Sequence, residues 1–225
     1  MLKFEYTEVF NFEGALRGAR NPLKSWDKSD SIFGCSKNFN KDCLNTNEYL
    51  LCENCSRCFI GDNDHNLMKR LVKAGSSHRK FIRQIFVSVD ITAPLYWWKQ
   101  FDQYKIGVVT NSESTMHTVH KKEFELDDFS HERLSKYNKS VLKEVICALN
   151  RSREYYVAFK EKLYWDQMIQ LLPSSYNQKR TVTFDYENLR NMYHERKNHK
   201  LDEWHTFCEW IESLPYSELI TMEGR

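Results

Sequence analysis

Residues 81–117 read FIRQIFVSVDITAPLYWWKQFDQYKIGVVTNSESTMH, and the order of three segments inside this stretch decides the fold. Over residues 81–91, Phe81, Ile85, Val87, Val89 and Ile91 share one face, with Arg83 its only polar member, while Gln84, Ser88 and Asp90 lie on the other. Alternation with a period of two describes a strand that rests one face on a core. Thr92-Ala93-Pro94 follows, with a capping hydroxyl and a proline suited to a first helical turn. A helix is expected from there to about Lys105, dense in aromatic residues: Tyr96, Trp97, Trp98, Phe101 and Tyr104. The polar loop Asn111-Ser112-Glu113-Ser114-Thr115-Met116-His117 closes the stretch.

On the N-terminal side, residues 2–10 alternate in part and read as a first strand, with a short helix at Gly14–Ala19 behind it. The stretch from Arg20 to Ser31 is polar and carries turn chemistry. Residues 34–60 are irregular and hold five of the seven cysteines. Asp62–Ala74 is expected to be helical, because Leu67 and Leu71, and Met68 and Val72, stack at i,i+4, and Gly75 sits where a C′ glycine belongs. On the C-terminal side, two long helices fit residues 131–150 and 152–172. The first carries Leu134, Tyr137, Val141, Leu142, Val145 and Leu149 at helical spacing, and Pro173 ends the second. Asn188–Lys197 and Asp202–Ser213 supply two more. The mixture is α+β, a small, mainly antiparallel sheet packed against long helices.

The composition fits one sizeable domain. Of 225 residues, 41% are hydrophobic and 28% charged, enough to bury a core. The formal net charge of +2 leaves no general footprint for nucleic acid, so an anion site has to come from a local basic cluster. No apolar run reaches the roughly 18–20 residues that span a bilayer, and the start lacks the apolar stretch of a secretion signal. The expected setting is cytoplasmic, without a membrane partner.

In reducing cytosol, clustered cysteines point to metal or to plain thiols rather than disulfides. Cys52-x-x-Cys55-x-x-Cys58 with Cys43 upstream offers four thiolates for a tetrahedral zinc site, and Cys35 and His65 are spare candidates. A redox or iron–sulfur role and unligated thiols are the alternatives. Cys147 and Cys208 fall in helical patterns and read as core residues.

The central stretch resembles the flavin-dependent thymidylate synthase family. In that family a strand with a Phe-Glu-His start leads to a helix opened by Ala-Pro and ending Gln-x-x-Arg-His-Arg, then a loop Asn-Glu-x-Ser-x-Arg-Tyr. Here Ala93-Pro94, Gln100, Asn111 and Ser114 fall on matching positions, while Gln103-Tyr104-Lys105 stands in place of the basic triplet. Ser112 takes the loop glutamate position, Met116 the loop arginine position, and Ile82-Arg83-Gln84 the strand start. A second match runs from Leu172-Pro173 through Lys179-Arg180 and Thr183-Phe184-Asp185 to His194-Glu195-Arg196, with Lys179 on the family's arginine position. Ala19-Arg20 and Ser25 are similar to its first helix and small polar loop. Some bacteriophage-encoded relatives look closer still.

The resemblance implies one domain over residues 1–225 of the thymidylate synthase-complementing-like fold, with residues 34–60 as a cysteine-rich insertion. It implies FAD as cofactor, methylene-tetrahydrofolate and NADPH as co-reactants, and one-carbon transfer to C5 of a pyrimidine nucleotide, dUMP to dTMP or a related modification. Homotetramers with sites at subunit interfaces are implied too. Gln84, Gln103, Tyr104, Lys105, Asn111, His194 and Arg196 would hold the cofactor. Ser112, Ser114, Lys179 and Arg180 would hold the substrate, with Ser114 at the reacting centre and a basic side chain on the phosphate. The altered triplet loses one charge and both planar forks, since lysine is a point charge without bidentate geometry. A nucleotide-binding protein that has lost the reaction is therefore the alternative reading.

Each of these residues also has a plainer role. The tryptophans and Phe101 suit an aromatic core. Asn111 and Ser114 suit loop hydrogen bonds to their own backbone, and Arg196 a surface charge. Asp27, Asp30 and Ser31 could touch cofactor or serve as caps and turns. Glu113, His117 and His120 offer a metal or acid/base set, although the strand–helix–loop context favours a nucleotide loop.

Overall fold

The computed structural model describes residues 2–33 and 58–223. In chain order the elements are β1 (Lys3–Phe10), α1 (Phe12–Arg20), β2 (Ile32–Phe33), β3 (Cys58–Phe59), α2 (Asp62–Lys73), β4 (Phe86–Pro94), α3 (Leu95–Phe101), β5 (Val109–Ser112), α4 (Thr115–Thr118), α5 (Lys136–Phe159), α6 (Lys162–Leu171), β6 (Asn177–Asp185), α7 (Tyr186–Arg196), α8 (Asp202–Glu212) and α9 (Glu218–Thr221). Four strands form an antiparallel sheet in the order β1-β4-β6-β5, and β2 pairs with β3 separately. This is the α+β arrangement read from the sequence. Among the described residues no helix is long and apolar enough to cross a membrane.

The chain separates into two compact units. The first comprises Met1–Glu8, Ser88–Thr183 and Asn198–Trp210. Its centre is aromatic: Trp97 lies 4.9 Å from Trp98, 5.1 Å from Phe101 and 4.8 Å from Trp204 between ring centroids, all of them buried. Burying each such side chain contributes about 1.5–3 kcal/mol, which explains why Trp97, Trp98 and Phe101 of α3 form a core and not a stacking platform. A second cluster sets Leu142, Ile146 and Leu149 of α5, at i, i+4 and i+7, against Met168 of α6.

The second unit comprises Val9–Val87, Phe184–Lys197 and Ile211–Arg225. Phe12 and Leu16 of α1, Met68 and Val72 of α2, Tyr186 and Leu189 of α7, and Leu219 and Ile220 of α9 are buried in it. A polar knot also lies there. Asp64, fully buried, accepts from Arg20 Nε at 2.6 Å, Ser29 Oγ at 2.7 Å and Ser31 Oγ at 2.5 Å. Asp30 caps α2 from outside, accepting from the backbone N–H of Asn63 at 2.8 Å and of Asp64 at 3.0 Å. Gly61 is required beside it, because a Cβ there would fall 2.3 Å from Asp30 Cγ. Asp30 and Ser31 thus take the cap-and-turn role.

Several boundaries move. The strand expected over 81–91 begins as a 3-10 helix, Arg79–Gln84, and β4 then runs on through Thr92 to Pro94. Pro94 is therefore the N-cap of α3, and α3 stops at Phe101. The expected break near residue 151 is absent: α5 continues to Phe159, with Ser152 Oγ bonded back to Ala148 O at 3.1 Å, and ends at Lys160 in a left-handed conformation (φ 59). The apolar stripe of α5 also sits differently from the reading, since Tyr137 and Val141 are exposed and Ile146 is buried. Cys147 is exposed, which corrects its core assignment, because its position points away from the Leu142–Ile146–Leu149 face; Cys208 is buried as expected.

Candidate functional site

In the first unit β5 and β6 pair antiparallel, placing Asn111 opposite Thr181 and Ser112 opposite Arg180. Along β6, Gln178, Val182 and Phe184 are buried, and alternation puts Lys179 and Thr181 on the opposite, open face. An open cleft of about 440 Å³ lies there, lined by Asp90, Asn111, Ser112, Glu113, Lys179 and Thr181.

Lys179 and Arg180, adjacent in sequence, consequently serve different places. Lys179 Nζ sits in the cleft, 3.2 Å from Glu5 Oε2 and 3.2 Å from Asp90 Oδ2. Thr181 Oγ1 donates to Asp90 Oδ1 at 2.6 Å. Hydrogen bonds from Lys3 and Lys179 hold the Glu5 carboxyl below the usual range. The Thr181 hydroxyl and then Lys179 do the same for Asp90, and the two carboxylates raise Lys179 in return. All three groups are charged at neutral pH. Arg180 turns the other way: its guanidinium lies 4.2 Å above the Trp98 ring, donates to Asp102 Oδ1 at 2.7 Å and to Gln178 Oε1 at 3.0 Å.

The loop that edges the cleft is fixed by Gln178, a buried residue that the sequence reading passed over. Its Nε2 donates to Glu113 O at 2.7 Å and Thr115 Oγ1 at 3.2 Å, while its carbonyl accepts from Trp98 Nε1 at 2.9 Å. Ser114 is the N-cap of α4, with its Oγ accepting from the His117 N–H at 3.4 Å, and its side chain is exposed. Glu5, Asp90 and Thr181 were also missed. Only their meeting on neighbouring strands gives them a role, and no local spacing announces it.

The rest of the proposed cofactor set is placed as follows. In the first unit, Gln103 and Lys105 follow α3 as exposed residues, while Tyr104 is half-buried with its ring 6.1 Å from Trp204. Gln100 Oε1 accepts from Trp204 Nε1 at 2.8 Å. In the second unit, Gln84 ends the 3-10 helix, its carbonyl accepting from Asn11 Nδ2 at 2.8 Å, and its Oε1 lies 2.7 Å from where a Cβ on Gly18 would stand. His194 and Arg196 are on the last turn of α7. His194 faces an open cleft of about 550 Å³ together with Arg79, Arg190, Asn191, Lys197 and Glu223. Its Nε2 is buried without a hydrogen-bond partner among the described residues. Burial, then the charge of Arg190, lowers its pKa below the ordinary 6.5, so the ring is neutral at physiological pH.

Cys35, Cys43, Cys52 and Cys55 of the zinc reading lie outside the described residues, and Cys58 enters only through its backbone in β3. Among the described residues no group of three or more His, Cys, Asp and Glu side chains could hold a metal ion, so Glu113, His117 and His120 do not form one.

No protein-family profile matches the sequence, and no curated protein sequence does. Solved structures do match. A crystal structure of thymidylate synthase X from Helicobacter pylori with FAD and dUMP is 15% identical, with a TM-score of 0.66 over 98% of this chain and 98% of that one. A second, described as flavin-dependent and from the same organism with the same ligands, is 16% identical, with a TM-score of 0.67 over 99% and 100%. The UMP/dUMP methylase PolB from Streptomyces cacaoi, bound with 5-Br dUMP, is 12% identical, with a TM-score of 0.58 over 100% and 96%. With the strand–helix–loop order already in the sequence, these matches give the chain the fold of flavin-dependent thymidylate synthases.

Proposed function

We propose that the protein is a flavin-dependent enzyme that transfers a one-carbon unit to C5 of the pyrimidine in dUMP or a closely related compound. The observation that carries this is the polar segment Asn111–Glu113 set beside Lys179 in an open cleft, in a chain folded like two structures that hold FAD and dUMP. Ser112, Ser114 and Lys179 would face the substrate from the first unit, with Ser114 closest to the reacting ring. Arg180 would act at one remove, by fixing Gln178 and Trp98. Gln103, Tyr104, Lys105 and Asn111 would contact the cofactor from the same unit.

The residues of the second unit suit a flavin as well. His194 shares an open cleft with Arg190, Lys197 and Glu223, a mixture of cationic and hydrogen-bonding groups that suits a planar ligand carrying phosphate charge. Gln84 and Arg196 complete that set. When bound, reduced FAD supplies the hydride, with methylene-tetrahydrofolate as carbon donor and NADPH as reductant. The chain's own residues then bind, orient and exclude water. Assembly as a homotetramer belongs to the same reading.

The test is a purified full-length protein, examined for a bound-flavin absorption spectrum and for NADPH oxidation that depends on dUMP or deoxyuridine. A yellow protein with substrate-dependent turnover is expected. A colourless protein that takes up no added FAD and shows no such turnover would overturn the proposal.

A further inference from the structure

Helix α5 is apolar on two sides, and its own chain covers one of them. Leu142, Ile146 and Leu149 are buried in the cluster that includes Met168 of α6. On the outer side Tyr137, Val141, Glu144, Ala148, Arg151 and Tyr155 follow one another in alternating steps of four and three residues, and all are exposed. Tyr137 is 75% exposed and Phe159, at the end of the same stripe, 60%. Steps of four and three make the seam of a helix that packs lengthwise on another helix. The Tyr155 ring lies 6.2 Å from Phe159 and 5.2 Å from Tyr164 of α6, so one end of the seam is a joined aromatic patch. Such a patch facing water marks an interaction surface.

The seam is complementary to its own reverse. Ala148 stands at its middle, Val141 and Tyr155 lie seven residues to either side, and Tyr137 and Phe159 eleven. Two copies of α5 running antiparallel about a two-fold axis at Ala148 set Tyr137 against the partner subunit's Phe159 and Val141 against the partner subunit's Tyr155. The charges of the seam match as well. Glu144 is four residues before Ala148 and Arg151 three after it, so each Glu144 meets the partner subunit's Arg151 to within about 1.5 Å, the rise of one residue. Arg151 donates to its own Tyr155 Oη at 3.3 Å, which lays the guanidinium along the seam. A parallel pairing would instead set Glu144 against Glu144 of the partner subunit and Arg151 against Arg151 of the partner subunit, and like charges repel. The small Ala148 at the axis lets two helices approach closely.

We propose that the outer face of α5 is a self-association surface, on which a second copy of this chain packs antiparallel about a two-fold axis at Ala148, with two Glu144–Arg151 pairs across the contact. The surface rests on the pattern of the seam and not on the flavin chemistry.

The experiment is sedimentation equilibrium of the full chain and of charge-swapped variants at low and at high salt. Wild-type protein is expected to form an even-numbered assembly. E144R and R151E should each weaken association by about tenfold, because two symmetry-related pairs turn repulsive at once. The loss should shrink at high salt, where exposed charges are screened. The double variant E144R/R151E restores both pairs with their signs exchanged, and should associate to within about threefold of wild type. A148E places two carboxylates at the axis and should dissociate the contact with no rescue by the double swap. All three positions are exposed, so circular dichroism melts near that of wild type are expected for each variant. A monomeric wild-type protein, single variants that associate as tightly as wild type, or a double variant that regains nothing would each overturn the proposal. A colourless protein that associates as described overturns the flavin reading alone, and a flavin-binding monomer overturns this one alone.

Discussion

Replacing Asp64 tests how the second unit is held together. Its carboxylate is fully buried and accepts from Arg20, from the Ser29 and Ser31 hydroxyls, and from the backbone N–H groups of Asp30 at 3.2 Å and Ser31 at 3.1 Å. In D64A the Arg20 guanidinium, itself 4% exposed, keeps the Ser25 and Lys28 carbonyls but loses its counter-charge. Removing one partner of a buried pair costs about 3–5 kcal/mol, since the remaining charge stays desolvated. For a chain of this size that lowers Tm by about 6–20 °C. D64N keeps the shape and one acceptor, and should lose roughly half as much. Desolvation raises the Asp64 pKa, but the hydrogen bonds from Ser31, Ser29 and Arg20 outweigh it and the net direction is down. A carboxyl depressed in the folded state stabilises above its unfolded value of 3.8. That contribution is lost as pH falls through the folded value, so wild type and D64A should converge in acid. The assay is thermal melting of the full chain by circular dichroism, from pH 7 downward. A D64A protein melting within about 2 °C of wild type at pH 7 would refute the reasoning.

Two further predictions concern the proposed site. S114A removes an N-cap whose hydrogen bond is long, so it should cost only about 0.5–1 kcal/mol of stability while turnover falls at least about tenfold; equal turnover in a steady-state assay would remove Ser114 from the reacting centre. For His194, burial and Arg190 depress the folded pKa below 6.5, so between the two values the unfolded chain binds a proton that the folded chain does not, and stability falls as pH drops below 6.5. Imidazole titration by NMR should give a value under 6.5, and added FAD should shift that ring's resonances; a value above 6.5 contradicts the burial argument.

The elements with strong periodicity were legible. α2 and its C′ glycine, Gly75 at φ 107, emerged almost residue for residue, because helix stacking and a left-handed cap are local properties. Boundaries failed where tertiary partners outweigh local signals. Thr92-Ala93-Pro94 looks like a helix start, yet it extends β4, because Pro94 can close a strand and cap a helix at once. Ser152 looks like a break, yet its hydroxyl bonds back to Ala148 and lets α5 run on.

The sequence alone determined the α+β class, the strand–helix–loop order around Gln100 and Ser114, and the aromatic character of α3, since periodicity, caps and side-chain type are written residue by residue. Only the tertiary structure decided what the basic residues do. Lys179 and Arg180 are neighbours with like charge, and a linear reading treats them as one anion site. A strand sends them to opposite faces, one to Glu5 and Asp90 and the other to Asp102 and Trp98. Those partners lie between 78 and 174 residues away in the chain. A charge is neutralised by what stands within a few ångströms of it, and that distance is set by folding.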